Sequence, residues 1–292
     1  MASPTSRSIQ VVTDSLAWIP EDLVKANGLR VVPLHVSFGE EQFTETVDLS
    51  TEIFFQRLRQ ARDAPKTSQP SVGEFLAVYR EVAETTGAIL SIHASSGLSG
   101  TYRSAETAAE MLRQERPDVR IETVDTQTAA SAQGIVAIRA AQQARAGASF
   151  EEVVASARAL APKTRLLFVV ETLEYLQKGG RIGRARALIG SLLHIRPILT
   201  VAEGEVAPLD RARTRAKALE KVLEHMAAYA RGRPFGHVGV LNAAAPEVAR
   251  ELKALIVERF AVPPERFIEC EIGPVIAAYV GPGAFGASFH CD

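Results

Sequence analysis

The stretch AILSIHASSGLSGTYRSAETAAEMLR, residues 88–113, decides the fold class of this chain because it contains three successive local patterns. Ala88 to His93 is a short apolar run of strand length, and Thr101 to Arg113 is an alanine-rich run that favours a helix. Between them lies Ser95-Ser96-Gly97-Leu98-Ser99-Gly100, a turn rich in hydroxyl groups and glycine. The stretch therefore predicts a strand, a turn and a helix in that order.

The same unit recurs on both sides of this stretch. Strands are predicted at Ile9–Val12, at Leu29–Phe38 and at Val119–Val124. Helices are predicted from Pro20, over Thr51–Ala61, from Ser71 (with Glu74 completing a capping box) and over Ser131–Ala146. Because strands and helices alternate, we expect a mostly parallel sheet with helices on both faces.

Hydroxyl side chains and two acids follow these strands where the strands end. Thr13-Asp14-Ser15, Ser95-Ser96-Gly97 and Asp125-Thr126 all fall at the predicted carboxyl edge of the sheet, where ligands of such folds bind. Thr67-Ser68-Gln69-Pro70-Ser71 is a second hydroxyl-rich segment before a helix. Free N–H groups at helix starts, together with hydroxyl groups, form a cradle for a carboxylate or phosphate. Plain helix capping explains the same residues and remains an alternative.

The composition changes near Pro162-Lys163, and the notable feature beyond it is a basic stretch. We predict two domains, residues 1–165 and 166–292, the second with a mixed sheet. An apolar helix is expected over Ala185–Leu193 and a strand pair around Glu203-Gly204, whereas the tail from Gly273 shows no clear pattern. The cations of the stretch either face solvent or contact an anion; they are Lys178, Arg181, Arg184, Arg186, Arg196, Arg211, Arg213, Arg215 and Lys217.

Composition and residue spacing disfavour several classes of protein. The chain has 292 residues, a formal net charge of −1 and 6% aromatic residues, which disfavours a nucleic-acid-binding surface. The two cysteines, Cys270 and Cys291, have neither disulfide-framework nor zinc-site spacing, and no histidine and acid pair has metal spacing. No glycine-rich run has nucleotide-binding spacing, so we expect no cofactor. The absence of a signal-peptide pattern or a membrane span predicts a cytoplasmic protein.

Several motifs in a fixed order resemble the DegV family of fatty-acid-binding proteins over nearly the whole chain. They are Thr13-Asp14-Ser15, TSQPS at 67–71, SSGLSGTY at 95–102, ETLEYLQKGGRIG from Glu171, PLDRARTR from Pro208 and GPVIAAYVGPGAFG from Gly273. The resemblance implies a three-layer α/β/α domain with a parallel sheet, followed by a two-layer α/β domain with a mixed sheet. It also implies that a long-chain fatty acid lies in a tunnel between the two domains.

The resemblance further implies roles for individual residues. The carboxylate would be held by Thr67 and Ser96, with Gly97, Ser95 or Ser99 as additions and with Tyr279 where many members carry histidine. Arg181 and Arg213 would meet a phosphate or a partner, as would His194, which stands where relatives often carry lysine. Tunnel or core positions are Leu188, Ile189, Leu192, Leu193 and Phe285.

The family is similar to the acyl-carrier subunit of a two-component fatty acid kinase. A separate ATP-dependent kinase subunit would phosphorylate the bound carboxylate and supply acyl phosphate for phospholipid synthesis, so this chain itself is expected to be a carrier and not an enzyme. Two other functions remain open from the residues alone. One is a hydrolase or transferase that uses Ser96 with Asp14, Asp125 or His93, and the other is a nucleic-acid-binding regulator that uses the basic stretch.

Overall fold

The computed structural model describes residues 8–61, 63–190 and 195–292. Within these ranges, no helix combines the length and the apolar character needed to cross a bilayer. The α-helices are α1 (Glu21–Asn27), α2 (Thr51–Gln60), α3 (Val72–Ala83), α4 (Thr101–Glu115), α5 (Ala130–Arg145), α6 (Phe150–Leu160), α7 (Glu174–Lys178), α8 (Arg215–Ala230), α9 (Pro246–Phe260) and α10 (Pro274–Val280).

Most of the strands belong to two large sheets. The strands are β1 (Ile9–Asp14), β2 (Arg30–Val32), β3 (His35–Phe38), β4 (Glu41–Thr44), β5 (Lys66–Ser68), β6 (Ala88–His93), β7 (Arg120–Asp125), β8 (Arg165–Val169), β9 (Arg196–Ala202), β10 (Glu205–Ala212), β11 (Phe235–Asn242), β12 (Phe267–Glu271) and β13 (Phe285–Cys291). Short 3₁₀ helices cover Ser15–Ala17, Ala161–Lys163, Gly183–Leu188 and Pro264–Arg266.

The first sheet has the order β2-β1-β6-β7, and all its strands are parallel. Because side chains of a strand alternate between faces, Ile89 packs with α3 and α4 while Leu90 packs with α5 and α6. The sheet is therefore covered on both faces, as the alternating pattern predicts. The predicted capping box of α3 is present: Ser71 accepts from the Glu74 N–H, and Glu74 accepts from the Ser71 N–H.

The second sheet is mixed and has the order β10-β9-β8-β13-β11-β12. Neighbouring strands are antiparallel except β11 and β12, which are parallel. On β8, Leu167 and Val169 pack towards the core under α8 and α9, whereas Leu166 and Phe168 face the core that includes α10. The mixed α/β architecture predicted from the sequence is confirmed, while the boundary at residue 166 stays a prediction.

Three sequence-based assignments of elements differ from the structure. The expected strand Leu29–Phe38 is two strands, because Pro33 lacks an N–H group; β2 joins the first sheet and β3 joins a three-stranded sheet of order β4-β3-β5. The expected helix Ala185–Leu193 is a 3₁₀ helix that ends at Leu188, before Gly190 with φ 87°; residues 191–194 lie outside the described part of the chain. The tail, which has no clear pattern, forms α10 and the fully buried strand β13.

Candidate ligand-binding site

An apolar cavity lies where the two large sheets and the three-stranded sheet meet. Its empty space, including the part open to solvent, is about 930 Å³. Strand β8 contributes Leu166 and Phe168, and α10 contributes four of its seven residues. The lining consists of Leu16, Leu34, Thr67, Ser68, Gln69, Leu98, Ser99, Ala129, Ala130, Leu166, Phe168, Leu176, Arg181, Val201, Val206, Leu241, Ile272, Val275, Ile276, Tyr279, Val280, Ala284 and Phe285.

The polar part of this lining centres on Thr67 and Tyr279. Their hydroxyl groups share a hydrogen bond across the boundary between β5 and α10. The Arg181 guanidinium lies over the Tyr279 ring at 5.0 Å from its centroid, a cation–π distance, and its Nε donates to the Leu98 carbonyl at 3.1 Å. Gly179 makes this packing possible, because a Cβ at that position would overlap the Tyr279 ring. Two hydroxyl groups and one cation therefore meet at the cavity wall.

The Ser95–Gly100 turn contributes to the cavity through Leu98 and Ser99. Ser95, Ser96 and Gly97 are not among its described lining residues. The buried Ser95 hydroxyl donates to the Gly204 carbonyl at 2.7 Å, so it joins the turn to the β9–β10 hairpin. The Ser96 hydroxyl donates to Asp125 Oδ2 at 2.6 Å. Thr67 and Ser99 both line the cavity, whereas Ser96 is outside its described lining, so a role of Ser96 in holding a carboxylate stays a prediction.

The other residues named from the sequence are dispersed. Phe285 lines the cavity, whereas Leu188 packs against the same core outside the lining and Ile189 is 44% exposed. Arg213 is exposed in the bend between β10 and α8. Leu192, Leu193 and His194 lie outside the described residues.

Acidic residues pair with several cations of the basic stretch. Arg184 lies 3.4 Å from Glu203, Lys178 lies 3.6 Å from Glu174, and Arg196 pairs with Glu171. These pairs correspond to the alternative in which the basic stretch is a solvated surface.

Sequence reasoning missed most of the apolar wall. Leu16 and Leu34 flank β1 and β3, and Leu241 and Val275 belong to β11 and α10. The GPVIAAYVG run is apolar enough to mark a buried helix, but the seven residues of α10 are too few to show helical periodicity. Only the tertiary fold brings this run against β3 and β5.

The described hydrogen bonds of the His93 ring go to Ser91 and Asp14 and not to Ser96, although His93 and Ser96 are close in sequence. A buried chain of hydrogen bonds runs from Tyr79 to Ser91 at 2.7 Å, from Ser91 to His93 Nε2 at 2.7 Å, and from His93 Nδ1 to Asp14 at 2.8 Å. Ser91, His93 and Asp14 are each fully buried, so a substrate cannot reach Ser91. Burial raises the pKa of Tyr79, which keeps the hydroxyl a donor. This series of hydrogen bonds stabilises the core of the first sheet.

Comparisons with known proteins agree with this architecture. Residues 8–291 match the family model described as "Uncharacterised protein, DegV family". A DegV domain-containing protein of Clostridium acetobutylicum is 37% identical over 285 residues, which cover 98% of each chain. The fatty-acid-binding DegV family protein from Thermus thermophilus has a TM-score of 0.91 and 38% identity, with 98% of this chain and 100% of that chain covered. DegV of Bacillus subtilis, a fatty acid binding protein, has a TM-score of 0.88 and 33% identity, with 98% and 100% covered. This chain belongs to the DegV family.

Proposed function

We propose that this protein binds a long-chain fatty acid in the apolar cavity, with the carboxylate at Thr67 and Tyr279. The observation that carries the proposal is the distribution of polarity in the lining. Hydroxyl groups and the Arg181 guanidinium cluster at one place, while the β8, β11 and α10 residues around the rest are apolar. A cavity of this kind suits a ligand with one charged end and a long hydrocarbon chain. The fatty-acid-binding relatives support the same assignment.

The apolar wall supplies most of the expected affinity. Each buried CH₂ group contributes about 0.8 kcal/mol, so a sixteen-carbon chain gains roughly 10 kcal/mol before entropy losses. The head group needs partners because an unpaired buried carboxylate oxygen costs about 1–3 kcal/mol. In the proposed complex, the hydroxyl group that donates in the Thr67–Tyr279 bond turns its proton to the carboxylate, so that both hydroxyl groups donate to the ligand, and Arg181 balances its charge. Ser99 is a further donor, whereas Ser96 contributes only if it exchanges its bond to Asp125.

We further propose that the protein presents this carboxylate to a separate ATP-dependent kinase subunit. The support is the position of Arg181, which lines the cavity and is itself exposed, so that a partner docked there reaches both the cation and the head group. Arg213 is an exposed cation suited to the same docking surface. Such a role in phospholipid synthesis needs no nucleophile on this chain, because the kinase transfers the phosphoryl group to the fatty acid.

Native mass spectrometry of mildly purified protein tests the binding proposal. We expect a copurified long-chain fatty acid, identified after lipid extraction. Ala129→Phe places a ring into the cavity from its half-buried wall and should abolish copurification. The matched variant Ala187→Phe changes an exposed residue and should retain the lipid. A protein that is reproducibly empty and has no affinity for added palmitate would contradict the proposal.

A further inference from the structure

Helix α10 carries a large share of the ligand site, and the contacts at its first turn decide where it lies. Val275, Ile276, Tyr279 and Val280 all line the cavity. The first turn has no side-chain cap. Its Val275 N–H donates instead to Glu45, which follows β4, and Val275 shares an apolar core with Leu16 of the 3₁₀ helix Ser15–Ala17. The backbone at Gly273, just before the helix, packs so closely on the Trp18 ring that a Cβ at that position would overlap the ring.

Glu45 is the charged residue at this junction. Its side chain is fully buried, Oε1 accepts from the Val275 N–H at 2.7 Å, and Oε2 accepts from the Ser15 hydroxyl at 2.5 Å. Ser15 in turn accepts from the Leu34 N–H at 2.9 Å. Leu34 and Val275 both line the cavity, so one carboxyl group joins two parts of its wall. Burying an acid is costly unless hydrogen bonds compensate it, and here the Ser15 hydroxyl and the Val275 N–H provide them.

We propose that Glu45 is a positioning residue for the ligand site: its buried carboxyl group holds the first turn of α10 and thereby places Tyr279 against Thr67 at the head of the cavity. The identity of the ligand rests on the proposed fatty-acid function. The coupling between Glu45 and α10 does not depend on it. It predicts that the position of α10 depends on the proton of Glu45.

The sign of this dependence follows from burial. Burial raises the pKa of the Glu45 carboxyl to about 7, against the hydrogen bonds from Ser15 and Val275, which lower it; the nearby Asp14 raises it further. A state in which α10 moves away and Glu45 is hydrated has the ordinary pKa of about 4.5. Ionisation therefore favours the displaced state; this preference builds up as the pH rises from about 4.5 to 7 and levels off above 7. Between pH 6 and pH 8 the shift amounts to at most about tenfold in the equilibrium.

Other titratable groups near this junction are engaged with partners of their own. Asp14 is paired with His93 at 2.8 Å, and His35, opposite Thr44 on β3, lies 2.9 Å from Glu74. Asp48 accepts from the Thr44 N–H at 2.9 Å. A Glu45→Gln variant removes the titration of Glu45 while leaving these groups in place, so it isolates the contribution of this carboxyl group.

Trp18 is the only tryptophan of the chain, so its fluorescence reports on the first turn of α10 without any ligand. In the wild type we expect the emission to change with a midpoint near pH 7. The change should be absent in Glu45→Gln and retained in Glu40→Gln, a matched substitution in the exposed turn of the β3–β4 hairpin. A flat wild-type profile, or an unchanged profile in Glu45→Gln, would overturn the proposal.

Ligand binding gives the second readout. The probe is hexadecanesulfonate below its micelle concentration, since a sulfonate does not titrate in this range. We expect Glu45→Ala to lose at least about tenfold in affinity and Glu45→Gln to recover most of it. The affinity of the wild type should fall between pH 6 and pH 8, while that of the Gln variant stays constant.

Wild-type affinity in a folded Glu45→Ala variant would refute the positioning role. If Glu45→Ala does not fold, the Gln pH profile decides. If the wild type binds no probe at any pH, the fatty-acid proposal fails, and the Trp18 titration still decides whether Glu45 positions α10.

Discussion

Thr67 and Tyr279 are 212 residues apart in sequence, and yet their hydroxyl groups share one hydrogen bond at the cavity wall. The sequence marks Thr67 as a candidate because hydroxyl-rich segments before helices bind anions. Nothing local to Thr67 indicates which residue faces it, since that partner arrives on a helix formed by the tail of the chain. The residue patterns therefore mark a hydroxyl group as a candidate for anion binding, but they do not show that Thr67 and Tyr279 are in contact.

Thr67→Val tests the head-group contact at the scale of a single side chain. The substitution keeps the shape and removes the hydroxyl, so fatty-acid binding should weaken by about 1–3 kcal/mol, the cost of an unpaired carboxylate oxygen. Displacement of a fluorescent fatty acid measures this difference. Thr107→Val on the exposed side of α4 is the control and should bind as the wild type does. Equal affinity of both variants would mean that the carboxylate lies elsewhere.

The helix starts show which elements the sequence determines locally. The Ser71–Glu74 and Ser149–Glu152 capping boxes are both formed, because each needs only residues three positions apart. Strand β13, in contrast, cannot be recognised from its local sequence. It is buried on both faces between β8 and β11, so it lacks the alternation that identifies a strand with one exposed face.

Ser71→Ala tests the capping box of α3 as a local element. The variant should lose about 1 kcal/mol of unfolding free energy, because the Glu74 N–H loses its acceptor. Urea unfolding measures the loss, and Ser71→Asp should restore most of it. Because Ser71 does not line the cavity, fatty-acid affinity should remain unchanged; a joint loss of stability and affinity would show that α3 also supports the site.

The molecule as a whole is held together by contacts between its two large sheets. Helix α5 packs on the first sheet, while its Ser131 shares a hydrogen bond of 2.6 Å with Ser288 of β13. The Ser95–Gly204 hydrogen bond likewise joins the turn after β6 to the hairpin between β9 and β10. The cytoplasmic location remains a prediction.

Acid sensitivity is a prediction for the whole fold. Burial, with the nearby His290 and Arg139, lowers the pKa of His237 to about 4, below its ordinary value of 6.5. The unfolded chain therefore binds this proton more readily, and stability should fall by about 1–3 kcal/mol as the pH drops from about 6.5 to 4. Thermal unfolding at pH 7 and pH 4.5 measures the change. His237→Phe should reduce the loss, whereas the surface control Thr107→Val should keep it; identical profiles would contradict this assignment.

The sequence by itself determined the parallel sheet of the first half, its helices and the hydroxyl-rich segments that precede α3 and α4. Those features depend on alternation of apolar residues, on caps and on turn residues, which act over a few positions. The tertiary structure alone decided that Pro33 separates two sheets, that the tail supplies β13 and α10, and that Glu45 lies beneath α10. These depend on contacts between distant segments, and a local pattern carries no information about which distant surface will cover it.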